Sequence, residues 1–198
     1  EALLQECDQS YDVTIKHKVE VPIGAGFGSS AAGALGTAFA LSKALGLSLT
    51  YNQLGRIAHV AEVKCRTGLG TVSPLLLGGC VITVEPGAPG HSIVDRIPIT
   101  DDYRIVTGTF RALPTKEILA QADIKQRVNL YGHETIDKIL ACPSLDNFLK
   151  ASKEFAMKSG LVTERVLRLI DLAEKAGAIG AAQNMVGEAV HAIALEHK

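Results

Sequence analysis

Acidic residues are missing from one long stretch. No Asp or Glu occurs between Glu20 and Glu62, in a chain of 198 residues that carries 21 of them against 20 Lys and Arg. The net charge of -1 leaves no excess of either sign, which excludes the broad basic footprint of a nucleic-acid binder or of a protein held on an anionic membrane. Long hydrophobic runs are absent too. The most apolar stretch, Ala31 to Leu49, is interrupted by Gly33, Gly36, Ser42, Lys43 and Gly46 and falls short of the roughly 18 consecutive apolar residues of a membrane span. The four cysteines, Cys7, Cys65, Cys80 and Cys142, are scattered, with no C-x-x-C pair and no histidine cluster at zinc spacing, so reduced thiols in a cytoplasmic protein are expected. The N-terminus has neither an initiator Met nor a basic and apolar leader. The chain is expected to be the central and later portion of a larger protein, and its length suits one domain or two small ones.

What is present begins with Asp12 to Val21, where Val13, Ile15, His17, Val19 and Val21 alternate with Thr14, Lys16, Lys18 and Glu20. That period predicts a half-buried strand. A glycine loop follows, and then an alanine- and leucine-rich helix over Ala31–Leu45, stopped by Gly46. Thr50 and Gln53 form a capping box for a second helix ending near Lys64, with Leu54, Ile57, Ala58 and Ala61 on one face. Strands are expected around Gly79–Val84, Ser92–Ile99 and Tyr103–Thr109, as an antiparallel meander. Helices are expected near 115–121, 124–141, 144–158 and 163–176, with a last one from about Ala182 to His197. This order is α+β rather than a regular βαβ alternation.

The sharpest motif is Pro22-Ile-Gly-Ala-Gly-Phe-Gly-Ser-Ser-Ala-Ala. Alternate glycines let the backbone turn tightly and present N–H groups at a helix N-terminus, which makes an anion site, most often for phosphate. A Walker A loop would need a lysine after Gly28, and none follows. A dinucleotide loop would need an acidic residue about 20 positions on, where this chain has none. A third type of loop remains, in which two hydroxyls after the glycines take over the lysine's work.

Pro22-x-Gly-x-Gly-x-Gly-Ser-Ser-Ala resembles the phosphate-binding motif of the GHMP kinases, the superfamily of galactokinase, homoserine kinase and mevalonate kinase. The resemblance implies a GHMP kinase fold of the α+β class. Its ribosomal-protein-like, ATP-binding N-terminal part would span residues 1–110, and its helix-rich α+β C-terminal part residues 111–198. It further implies that Pro22, Gly24, Ala25, Gly26, Phe27, Gly28, Ser29 and Ser30 wrap the ATP phosphates, and that Ser30 and Glu62 hold Mg²⁺. Such a metal suits hydroxyl and carboxylate ligands. His59, one turn from Glu62, is read as a packing histidine rather than a ligand.

More of the chain is similar to one branch, the archaeal pantoate kinases. The similarity lies in Gly26-Phe-Gly-Ser-Ser-Ala-Ala-Gly-Ala-Leu-Gly-Thr-Ala-Phe-Ala-Leu, His59-Val-Ala-Glu-Val, Thr67-Gly-Leu-Gly, Pro86-Gly-Ala-Pro-Gly90, Pro114-Thr-Lys-Glu-Ile and Ala181-Ala-Gln-Asn-Met-Val-Gly-Glu-Ala-Val. Gly177-Ala-Ile-Gly180 resembles the family's third, glycine-rich motif. The implied reaction is ATP-dependent phosphorylation of the primary hydroxyl of pantoate to 4-phosphopantoate, in archaeal coenzyme A biosynthesis. Its partner would be a small hydroxy acid, with no nucleic acid or membrane involved, and a homodimer is compatible with it. Two positions depart from the branch: Thr71 stands where relatives carry an aspartate, and Thr83 where they carry an arginine. Ser30, Glu62 and Thr71 are therefore the candidate catalytic residues. Lys116, Thr115, Arg66 and Arg111, with Arg104, are candidates for the acceptor site. The alternatives are another acceptor, namely homoserine, mevalonate or phosphomevalonate, or an ATP-binding homologue without catalysis.

Overall fold

The computed structural model describes residues 3–6, 10–68, 70–113 and 121–196. They form two compact units. The first comprises residues 1–21 and 28–95, and the second residues 22–27 and 96–198.

In the first unit, a 3-10 turn at Leu4–Glu6 precedes helix α1 (Ser29–Ala44) and helix α2 (Tyr51–Cys65). Alanine and leucine favour helix, and α1 buries Ala31, Leu35, Ala38 and Ser42, a spacing of one helical face. Gly28 precedes α1 in a left-handed conformation. The expected capping box starts α2: Gln53 N–H donates to Thr50 Oγ1 at 3.2 Å and Thr50 N–H donates to Gln53 Oε1 at 2.8 Å. Ala31, Leu35, Ala58 and Val72 make one buried cluster, and Leu3, Ala38 and Leu54 another. Helix α3 (Val72–Leu77) forms where the sequence suggested only a glycine-bearing connection. Its Pro74 sits in the first turn, where no backbone N–H is needed. Strands β1 (Cys80–Glu85) and β2 (Ile93–Ile97) pair as a two-stranded sheet.

The second unit contains β3 (Tyr103–Arg111), α4 (Ala122–Ala141), α5 (Leu145–Ser159), α6 (Glu164–Lys175), β4 (Gly180–Gln183) and β5 (Glu188–Leu195). Its sheet has the order β3-β5-β4. β3 runs antiparallel to β5 from Tyr103 opposite Leu195 to Arg111 opposite Glu188, with a bulge between Thr109 and Arg111. β4 pairs antiparallel with β5 from Gly180 opposite Ile193 to Gln183 opposite Val190. Ser144 and Thr163 cap α5 and α6 with their hydroxyls. Val166 and Ile170 of α6 bury themselves against Ala181, Val190 and Ala192. No helix among the described residues is long and apolar enough to cross a membrane.

Three expectations are corrected. Asp12–Val21 forms no strand: Val13, Ile15, Val19 and Val21 are exposed, and none of the described residues supplies the ladder. Alternation makes a strand only when a neighbour pairs with it. The meander stops after two strands, because β3 pairs with β5 rather than β2. The helix expected over Ala182–His197 is instead the end of β4, a turn and β5, its helix propensity overridden by pairing on both sides of β5. The expected helix near 115–121 falls almost wholly outside the described residues, which omit 114–120.

Candidate active site

Glu62 lies in the last turn of α2 with 4% of its surface exposed. Arg66 ends the helix in a left-handed conformation, φ 56°, and the chain turns back so that Thr67 N–H donates to the Glu62 carbonyl at 3.0 Å. Thr67 Oγ1 then donates to Glu62 Oε1 at 2.6 Å, and Ser30 Oγ, from the first turn of α1, donates to Oε2 at 3.0 Å. Gly68 matters for what it lacks: a methyl group there would lie 2.5 Å from Oε2. Among the described residues no Lys or Arg ion-pairs with Glu62, although buried carboxylates are ordinarily paired. A buried carboxylate held by the hydroxyls of Ser30 and Thr67 is an oxygen donor set that fits a hard divalent cation such as Mg²⁺. His59 stands one turn before Glu62 on α2. Thr71 precedes α3, and its Cγ2 lies 3.0 Å from where a side chain on Gly28 would begin. Thr71, the position expected to depart from the branch, therefore stands beside the third glycine of the loop.

The earlier residues of the loop belong to the second unit. Gly24, Gly26 and Gly28 all adopt left-handed conformations. At Gly26, φ 87°, any side chain would drive into the Asn184 carbonyl, and its Cβ would be 3.0 Å from that of Asn184. Glycine is needed there for conformation and for space. Gly187 also packs on the loop, since a Cβ on it would lie 2.7 Å from the carbonyl of Ala25. Ala25 is fully buried, and Leu113 N–H donates to the Gly24 carbonyl at 3.2 Å. The loop's backbone thus packs on the backbone of the β4–β5 turn, Asn184 to Gly187. His191 on β5 holds that turn through a 2.7 Å hydrogen bond between Nδ1 and Asn184 Oδ1. Gly177 and Ala178, by contrast, close α6 with their N–H groups.

Two of the arginines expected at an acceptor site are engaged elsewhere. Arg111 Nε pairs at 2.8 Å with Glu188, whose side chain is 3% exposed, and Arg165 and Thr163 bind the same carboxylate. Burial would raise the Glu188 carboxyl, but these three partners outweigh it and hold it below the ordinary range. Arg104 pairs with Glu196 and donates to the Asp101 and Tyr103 carbonyls. Arg66 is exposed at the end of α2, and Thr83 lies within β1. Thr115 and Lys116 lie outside the described residues.

The family model for the GHMP kinases N terminal domain matches residues 1–79. Over 94% of this chain, the pantoate kinase of Methanocaldococcus jannaschii is 34% identical. The chain belongs to the GHMP kinases. A second pantoate kinase, from Thermococcus kodakarensis, is 35% identical over 76% of the chain. A solved structure described as a phosphotransferase related to the CoA biosynthesis pathway superposes with a TM-score of 0.80 at 30% identity, covering 90% of the chain. The chain spans 66% and 49% of the two curated GHMP relatives and 57% of the solved one. Its α+β architecture is the GHMP kinase fold. Ser30 and Glu62 were expected together, whereas Thr67, which donates to the carboxylate, and Gly68, which leaves room for it, were not. Their signal was present in Thr67-Gly-Leu-Gly.

Proposed function

We propose that the protein is an ATP- and Mg²⁺-dependent kinase acting in the cytoplasm that phosphorylates the primary hydroxyl of pantoate, giving 4-phosphopantoate on the archaeal route to coenzyme A. The observation that carries the kinase reading is the buried Glu62 carboxylate, held between Thr67 and Ser30, the second hydroxyl after the glycines. The choice of pantoate is supported by the two archaeal relatives described above. An ATP-binding part over residues 1–110 and a helical α+β part over 111–198 belong to the same reading.

In this mechanism, residues 22–30 hold the triphosphate, their left-handed glycines letting backbone N–H groups approach it closely. Ser30 and Glu62 are the metal ligands, and Thr67 fixes the rotamer of Glu62. When bound, Mg²⁺ neutralises charge on the phosphates. The hydroxyl oxygen of the acceptor attacks the γ-phosphorus in line, the bond to the β–γ bridging oxygen breaks, ADP leaves, and the hydroxyl proton passes to solvent. Thr71 is a poor base at neutral pH, but a loose phosphoryl transition state needs little base assistance, so positioning and charge neutralisation dominate. Thr115, Lys116 and Arg66 are the remaining candidates for the acceptor carboxylate. The test is ADP release by the full-length protein with MgATP and, separately, pantoate, homoserine, mevalonate or phosphomevalonate. Turnover with pantoate and its loss in Glu62→Gln are expected. Signal with another acceptor overturns the substrate, and binding of ATP without transfer to any of them overturns the enzyme.

A further inference from the structure

His191 takes no part in the chemistry above, yet it is placed to act on the phosphate loop. It sits on the central strand β5, opposite Thr107 of β3 and Ala182 of β4. Val190 and Ala192 point into the cluster under α6, so by strand alternation His191 lies on the other face of the sheet. Its side chain reaches along the sheet to the turn and binds Asn184. Burial pushes the imidazole below its ordinary range, so it is neutral at pH 7. With the amide oxygen as acceptor, Nδ1 carries the proton. Asn184 is buried, and its carbonyl and Cβ border the space beside Gly26.

We propose that His191 is a positioning residue for the nucleotide-phosphate loop, acting through Asn184. The inference rests on the reading that residues 22–30 hold ATP phosphates. The hydrogen bond fixes the Asn184 side chain, and through it the turn backbone on which Gly26 rests. Gly26 has no side chain of its own to anchor it, and the contact is already too close to admit a methyl group. A shift of the turn therefore transfers directly to the loop. The role needs a hydrogen-bonding side chain at 191, not an imidazole as such, and it concerns the nucleotide rather than the acceptor.

The test uses the full-length enzyme with His191→Leu, His191→Gln, Asn184→Ala and the Leu/Ala double variant. It measures the MgATP dissociation constant by calorimetry and the KM for each substrate. Loss of one buried hydrogen bond corresponds to about a 2- to 10-fold change. His191→Leu and Asn184→Ala should each weaken MgATP by about that factor, with the acceptor KM unchanged. The double variant should be no worse than either single one, and His191→Gln should stay within about twofold of wild type. A folded His191→Leu that binds MgATP as wild type does overturns the inference, as does a double variant whose effects add. If His191→Leu fails to fold, Asn184→Ala decides, and wild-type MgATP binding in it overturns the inference. A wild-type enzyme that does not bind MgATP overturns the kinase reading itself.

Discussion

At Glu62, replacing the carboxylate by an amide keeps the size and one hydrogen-bond acceptor while removing the charge. Glu62→Gln should therefore leave the unfolding temperature close to wild type while lowering Mg²⁺-dependent turnover by about 100-fold or more, as followed by an ADP-release assay. Thr67→Val removes only the group that orients the carboxylate at 2.6 Å. It should raise the Mg²⁺ concentration for half-maximal rate by about 10-fold, the usual scale for partners behind a metal ligand. Neighbours in sequence made part of this site legible: two hydroxyls after three glycines, and the first acidic residue beyond them. Thr67 and Gly68 were visible as a motif but not as a clamp, because their purpose depends on the left-handed turn at Arg66 that folds them back on Glu62. Nothing local announced Asn184 or Gly187 as the seat of Gly26 and Ala25.

Helices were legible as elements wherever caps and periodicity agreed. The capping box of α2 and the stops at Gly46 and Gly160 stand within a residue or two of their expected places. Thr50→Ala should cost about 1 kcal/mol, read from urea unfolding. Ile170→Ala, which opens a hole between α6 and the sheet, should cost about 2–5 kcal/mol by the same measurement. The failures concern strands, whose partners are remote. The stretch from about Ala182 to His197 is rich in alanine and reads as helix, but β5 is flanked by β3 and β4, and Gly187 breaks any continuous helix. Asp12 to Val21 shows the converse, a strand-like pattern without a pairing neighbour among the described residues. Periodicity reports which faces are apolar, whereas pairing decides whether an alternating segment becomes a strand.

For the whole molecule, His191 and Glu188 are two of the described groups through which stability follows pH. The native state keeps His191 neutral, so below its ordinary value of 6.5 the unfolded chain takes up a proton that the native state resists, and stability falls. Glu188 is held below 4.5 in the native state, so its contribution is complete above that value and is lost as pH drops below it. Urea midpoints measured from pH 8 to 3 should therefore decline in two stages. His191→Gln should flatten the first stage and Glu188→Gln the second. The seating of Gly26 against Asn184 bears on synthesis as well as on stability, for the two residues are 158 positions apart. A ribosome adding about 5–20 residues per second needs on the order of 10 s to cover that distance. During that interval Gly26 and Ala25 have no turn to rest on. On the reading proposed above, a chain still without β5 lacks the seat of its phosphate loop.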